Sequence, residues 1–264
     1  MHEILAALPP SSHVLDLGSG PGSFDSHAFP SLTVFHADIE VPSKTPDNFV
    51  ACLASAMPFA NRSFDAVILN HSFEHFVDLP QCVQEIARVL ATTGLLYIAV
   101  PDASTITDRV YRWLGRGGGH VNLFTDANVI PVMITAATGL RHAGTRVLCT
   151  SFSFLNRHNF VSKPPMRLLL LGNGNEHVVR IATFVLRCLD KWFGWRTGVY
   201  GWAFYFGGLD HPPDPTVWSN VCIRCGSGSP SALLKLTGRV HPHRFLPSMY
   251  RCPACATRNY FTED

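Results

Sequence analysis

The stretch from His13 to Asp25, HVLDLGSGPGSFD, constrains this chain more than any other. Val14, Leu15 and Leu17 form an apolar run stopped by glycine, the mark of a parallel strand covered on both faces. Asp16-Leu17-Gly18-Ser19-Gly20-Pro21-Gly22 then turns the chain toward a helix. Three alternating glycines permit backbone angles closed to other residues and let a ligand approach the main chain. Such a loop suits a dinucleotide or another adenosine-bearing cofactor. Dinucleotide loops space their glycines G-x-G-x-x-G; counted from Gly18, the third would fall on Ser23, and here it comes one place early. The acidic residue two places before the first glycine suits a ligand carrying a cationic amino acid rather than a pyrophosphate.

That constellation resembles motif I of the class I S-adenosylmethionine (SAM)-dependent methyltransferases, and the resemblance runs on to Leu96. Val34-Phe35-His36-Ala37-Asp38 looks like the second strand, its terminal acid placed to accept hydrogen bonds from both ribose hydroxyls. Met57-Pro58-Phe59 and Asn61 to Leu69 look like the LPF…SFDxVxx passage into the fourth strand. Glu85 to Leu90 and Gly94-Leu95-Leu96 are similar to the helix and fifth strand that follow. The resemblance, to members of the type-11 kind, implies an α/β fold: a Rossmann-like, mostly parallel seven-stranded sheet with helices on both faces. It also implies SAM as cofactor, held by Asp16, Gly18, Ser19, Gly20, Pro21, Gly22, Asp38, Ile39, Ser55, Ala56 and Asn70. The family often has an acid after the third strand for the adenine amino group. Here the place near Leu53 is apolar, which leaves that contact to backbone around Ala54–Ala56.

A chain of 264 residues, 47% hydrophobic and 15% charged, suffices for one large domain and a small one. A formal charge of +2 gives no electrostatic case for nucleic acid. MHEILAALPP lacks a basic region followed by an apolar core of roughly 7–15 residues, which reads against a signal peptide. No apolar run approaches the roughly twenty residues of a membrane span. With paired cysteines that read as metal ligands, a cytoplasmic protein is expected.

Along the chain, residues 2–8 supply one short helix where the family carries a longer cap, implying an open pocket or a start placed too late. VPSKTPDN, with prolines at 42 and 46, leaves little room for a crossover helix, and 49–54 reads as the third strand. Asp65 to Leu69 reads as the fourth, delivering Asn70-His71-Ser72-Phe73-Glu74-His75 to the edge where open sheets bind ligands. Asp78-Leu79-Pro80-Gln81 signals a helix start, with an apolar stripe to Leu90 and Gly94 as its end. Leu95–Val100 is the expected fifth strand. The Gly-rich stretch 112–125 suits a mobile lid over the edge. Thr125 is the expected cap of a further helix closed by Gly139, with Pro131 kinking it or delaying its start. Residues 140–154 read as a strand, 164–194 as helical with breaks at Gly172 and Gly174, and 199–206 as the last strand. HPPDP, 211–215, divides a methyltransferase domain (1–210) from a tail (217–264).

The tail carries Cys222-Ile223-Arg224-Cys225 and Cys252-Pro253-Ala254-Cys255. Each CxxC turn aims two thiolates at one point, and two turns complete a tetrahedral four-cysteine site with no open position, so structural Zn2+ is expected. The tail resembles a zinc ribbon. So small a domain depends on its metal for stability. Cys52, Cys82, Cys149 and Cys188 read as buried small residues.

His71, His75 and His120 are the catalytic candidates, since histidine titrates near neutrality and takes a proton from a hydroxyl acceptor. The alternative for His71 and His75 is a polar pocket wall; His120, beside three glycines, reads as a substrate-facing lid residue. The passage after the fourth strand has no Asn/Asp-Pro-Pro-Tyr/Phe element, which counts against methylation of base amino groups. No Pro-Cys pair offers the nucleophile for carbon-5 methylation of pyrimidines. GHVNLFT resembles small-molecule and glycan-modifying members, so the expected acceptor is a small molecule, a sugar or a lipid-linked group. Two other readings stay open: an RNA methyltransferase anchored by the ribbon, and an inactive SAM-fold adaptor acting through it.

Overall fold

A computed structural model describes residues 1–115, 120–160, 165–210, 213–215, 217–244 and 246–264. The Gly-rich run 116–119, expected as part of a lid, and residues 211–212 of the proline-rich joint lie outside the described residues. Strands β1 (His13–Leu17), β2 (Thr33–Asp38), β3 (Phe49–Ala51), β4 (Phe64–Asn70), β5 (Leu90–Pro101), β6 (His142–Cys149) and β7 (Val199–Phe206) form one sheet in the order β3-β2-β1-β4-β5-β7-β6. β1 pairs in parallel with β2 and β4, β2 with β3, and β4 with β5. The chain winds outward from β1 to β3 and then returns to β4. Strand order therefore reverses between β1 and β4, and ligands of open α/β sheets bind at the carboxyl ends beside such a switch.

The core explains why these residues form strands. Val14, Leu15, Val67, Ile68, Leu69, Leu96 and Ile98 are wholly buried, which suits strands covered on both faces. Each buried aliphatic contributes about 1.5–3 kcal/mol relative to exposure. The helices are α1 (His2–Ala7), α2 (Leu79–Val89), α3 (Ile106–Trp113), α4 (Val129–Thr138), α5 (Glu176–Phe193) and α6 (Ser231–Leu236). α1 and α2 pack on β5, and α2 also packs on α4. The Asp78 carboxylate accepts from the Gln81 amide at 3.2 Å, the cap its sequence predicts. Arg88 then clasps the loop before β4. Its guanidinium donates to the carbonyls of Phe59 (2.7 Å) and Met57 (2.9 Å) and pairs with Glu85 at 2.6 Å. Glu85 in turn accepts from the Met57 amide at 2.8 Å.

Several local expectations are corrected. No α-helix follows the glycine loop; Ser26–Ala28 makes one 3-10 turn capped by Asp25. Ten residues between Gly22 and β2, Pro30 among them, leave no length for a packed helix. Gly94 does not end α2, which stops before an extended Leu90; the glycine lies inside β5. Pairing of Leu90 with Phe64 commits the chain to the sheet there. Thr125 does not cap α4, which begins at Val129, so Pro131 falls in the first turn, where its missing N–H costs nothing. β6 is shorter than expected, and 3-10 turns follow it at Ser153–Leu155 and Arg157–Asn159. Of the four scattered cysteines only Cys82 is fully buried; Cys52, Cys149 and Cys188 are half-buried.

The chain forms two compact units, and the division runs through β6 and β7. One comprises Met1–Pro101, Gly119–Arg146 and Trp202–Pro215. It holds the glycine loop, the end of β4 and His120. The other comprises Asp102–Gly118, Val147–Gly201 and Thr216–Asp264. Its apolar cluster joins Leu114, Phe152, Leu155, Leu168 and Val179 to Ile223 of the cysteine-bearing tail. Short strands β8 (Asn220–Val221), β9 (Gly228–Ser229), β10 (Val240–His241), β11 (Met249–Arg251) and β12 (Arg258–Tyr260) build the tail's two small sheets. Among the described residues no helix is long and apolar enough to cross a membrane.

Candidate functional site

The register of β1 and β2 sets the first half of the site. Asp16 pairs with His36 and Leu17 with Ala37, so the side chains of Asp16 and His36 share a face. Asp16 Oδ2 lies 3.2 Å from His36 Nδ1 and accepts from the Ser23 amide at 2.8 Å. Asp16 Oδ1 is buried and has no hydrogen-bond partner among the described residues. Past the strand, the amides of Gly18 and Ser19 both donate to Ala37 O, at 2.7 and 3.1 Å, which folds the loop over the end of β2. Asp38 closes the turn, accepting from Gly20 N at 2.8 Å and from Glu40 N at 3.1 Å.

The glycines of this loop differ in what they face. A Cβ on Gly18 would stand 2.3 Å from Ser72 Cβ, so this position brings β1 and β4 together. Ser72 seals the approach by donating from Oγ to Leu17 O at 2.7 Å. Gly20, with φ of +50°, has open space where its Cβ would be. Ser55 and Ala56 lie in a turn closed by Ala56 N to Leu53 O, and Ile39 is exposed beside Asp38.

The second half comes from the end of β4. Asn70 is its last residue, and His71 follows with φ of +59°, a left-handed conformation uncommon outside glycine. Burial, and then the charges of His120 and His75, push the His71 imidazole down to about 4, so it is neutral at pH 7. Glu74 is only 1% exposed. Its Oε1 lies 4.0 Å from His71 Nδ1 and 4.0 Å from His75 Nε2. His120 joins them, its ring centroid 4.9 Å from that of His75. The loop carrying it is pinned from the main chain: Val121 N and Asn122 N both donate to Glu74 O at 2.9 Å, and Asn122 Nδ2 to Phe76 O at 2.7 Å. Stacking of Phe124 on Phe73 anchors the far end of the loop.

All three predicted histidines therefore converge at one edge, in the same unit as the glycine loop. Sequence reasoning missed two residues. His36 lies two places before Asp38, and period-two alternation puts it on the same strand face. Glu74 sits next to one candidate histidine and three residues from another, a spacing that a 3-10 turn brings together.

The residues present fit a SAM-type ligand. The orphaned Asp16 Oδ1, the open side of Gly20 and the Asp38 carboxylate would offer such a ligand a buried acid, a close-approach surface and hydrogen-bond acceptors. In the tail, Sγ of Cys222 lies 3.5 Å from that of Cys255, and Cys225 lies 3.6 Å from Cys252. All four sulfurs fall within 4.8 Å of one another. Tetrahedral zinc, with Zn–S of about 2.3 Å, spaces its sulfurs roughly 3.8 Å apart, so the cluster fits that ion. The knuckles are alike: Gly226 N returns to Cys222 O and Ala256 N to Cys252 O, each at 3.0 Å. Burial raises the Cys255 thiol, but hydrogen bonds with Thr257, Cys225 and Cys222 more than offset this and bring it to about 6.

Residues 15–98 match the family model described as a methyltransferase domain, type 11. A malonyl-[acyl-carrier protein] O-methyltransferase of Methylococcus capsulatus is 29% identical over 130 residues, 44% of this chain and 47% of that protein. An O-methyltransferase of Pyrenophora dematioidea is 31% identical over 131 residues, 42% of this chain and 49% of the relative. The chain thus spans less than half the length of these relatives. Among solved structures, a SAM-dependent methyltransferase from Archaeoglobus fulgidus superposes with a TM-score of 0.54 at 15% identity, covering 77% of this chain and 89% of the other. At that identity the likeness concerns the fold.

Proposed function

We propose, from the premise that this chain carries a SAM-dependent methyltransferase domain of the type-11 family over residues 15–98, that it transfers a methyl group to a small-molecule, sugar or lipid-linked acceptor. The observation that carries the reading is that the Asp16–Gly20–Asp38 cradle and the His71/His75/His120 edge belong to one compact unit, with Gly18 of the loop against Ser72 beside His71. SAM, when bound, supplies a sulfonium whose methyl group is already activated for in-line displacement. Asp16 would hold its amino-acid end, Asp38 its ribose, and the backbone around Ala54–Ala56 its adenine. What remains for the chain is to hold an acceptor in line, a proximity effect worth up to about 7–11 kcal/mol. A histidine of the β4 edge takes the acceptor's proton. Relatives named for malonyl-[acyl-carrier protein] and demethylmenaquinone support acceptors of this class.

The ribbon contributes architecture in this reading. Arg224 is held by Glu176 at 2.7 Å and Lys235 by Glu263 at 2.5 Å, so two of its cations are already engaged within the chain. That favours a structural ribbon over an RNA anchor. The test is production of S-adenosylhomocysteine by the full chain with malonyl-acyl carrier protein, a quinol, a nucleotide sugar and an RNA in separate reactions. Turnover with one of the first three is expected. Turnover with RNA alone would reverse the assignment.

A further inference from the structure

Two of the histidines at the edge of β4, His75 and His120, also form a metal donor set with Glu74, which the methyl-transfer reading leaves without a role. Oε of Glu74 and a ring nitrogen each of His75 and His120 all lie within 4.8 Å of one another. One carboxylate oxygen and two imidazole nitrogens suit a borderline divalent ion, and a site with three protein ligands leaves positions open for a substrate atom. The three are not adjacent by accident of side-chain rotation. Glu74 and His75 belong to one 3-10 turn, Phe73–His75. Residue 120 is fixed against that turn by two backbone amides donating to the carbonyl of Glu74 itself, with Asn122 bonding Phe76 beyond it. The carboxylate is buried while His75 is exposed. The donors therefore open toward solvent on one side, which gives an ion and an acceptor a way in.

We propose that Glu74, His75 and His120 bind one divalent transition-metal ion, separate from the ribbon site, whose open positions take an oxygen of the acceptor. The ion polarises that oxygen and lowers the cost of its deprotonation. This role rests on the methyl-transfer reading; the binding of the ion does not. His75 and His120 then act as ligands rather than bases, and the acceptor's proton leaves to solvent through the open side of the site.

Cobalt(II) is the probe, because its spectrum separates the two sites. Full-length protein with the ribbon loaded with zinc is titrated with Co2+ alone. Wild type should take one further equivalent, giving weak visible bands without the intense near-ultraviolet absorption of a thiolate–cobalt bond. His75→Gln, at an exposed position, and His120→Gln, at a half-buried one, should each weaken that binding by more than about tenfold, since losing a ligand costs no less than losing an outer-shell partner. Cys225→Ser should leave it in place. Absence of the extra equivalent in folded wild type, or unchanged affinity in both histidine variants, would overturn the site. Co2+ binding is scored beside a SAM titration of the same samples. SAM binding without Co2+ removes the ion site alone, and Co2+ binding without SAM removes the methyl-transfer reading alone.

Discussion

Oδ2 of Asp38 lies 2.8 Å from the amide nitrogen of Gly20 and accepts its hydrogen bond. The bond ties the end of β2 to the crest of the glycine loop, so the Asp38 carboxylate and the open face of Gly20 are set by each other. A carboxylate offers about four lone-pair positions; Gly20 and Glu40 take two, and two remain for a pair of hydroxyls. The loop is thereby preorganised, which lowers the ordering cost of binding.

The glycines of the loop should separate by substitution. Gly18→Ala drives a Cβ into Ser72 and should cost roughly 1–3 kcal/mol of overpacking on top of the about 1–2 kcal/mol of its own left-handed backbone, φ of +70°. Gly20→Ala meets open space, so it should lose only the about 1–2 kcal/mol of a left-handed backbone carrying a Cβ. Urea denaturation of both variants measures the difference. Equal losses would mean that the close approach to Ser72 does not matter.

Arg88 should control acid stability. Its hydrogen bonds hold the Glu85 carboxyl below the ordinary value of 4.5, with help from the Met57 amide. A carboxyl depressed in the folded state binds fewer protons than in the unfolded chain. The stabilisation it contributes is complete above about 4.5 and is lost as pH falls through the lower folded value. Arg88→Ala should lower the melting temperature at pH 7 and flatten its fall below pH 4.5. A parallel fall in both proteins would contradict this.

Zinc in the ribbon should stabilise residues well outside it. Ser151 Oγ donates to Cys222 O at 2.6 Å, Asn156 Nδ2 to Ile223 O at 3.0 Å, and Asn159 Nδ2 to Arg224 O at 2.7 Å. Cys255→Ser should remove one zinc per chain by metal analysis and speed amide exchange around 151–159 as well as in the tail. Freshly reduced wild type without zinc, or exchange confined to the tail, would count against a structural metal.

How far the sequence carried the account depended on the range of each contact. The Asp78 cap and the last strand, Val199–Phe206, were legible because capping and alternation are local. The glycine loop misleads about the segment after Gly22, because the ten residues there, with Pro30, have no room for the helix that such loops usually precede. Gly94 misleads in turn, since a helix-ending residue is overruled there by pairing of Leu90 with Phe64. His36 and Glu74 carry only weak local signals, alternation with Asp38 and proximity to two histidines. One acquires its place from the register of β1 against β2, the other from a loop nearly fifty residues away that docks on its carbonyl.

The central claim is that the Asp16–Gly20–Asp38 cradle binds SAM, and calorimetric titration of SAM into the full chain tests it most directly. Wild type should bind one equivalent. Asp38→Ala removes the ribose acceptors, and Gly20→Val fills the open face of the loop; each should abolish measurable heat while circular dichroism stays unchanged. Wild-type affinity in both folded variants would contradict the account and move the cofactor site elsewhere.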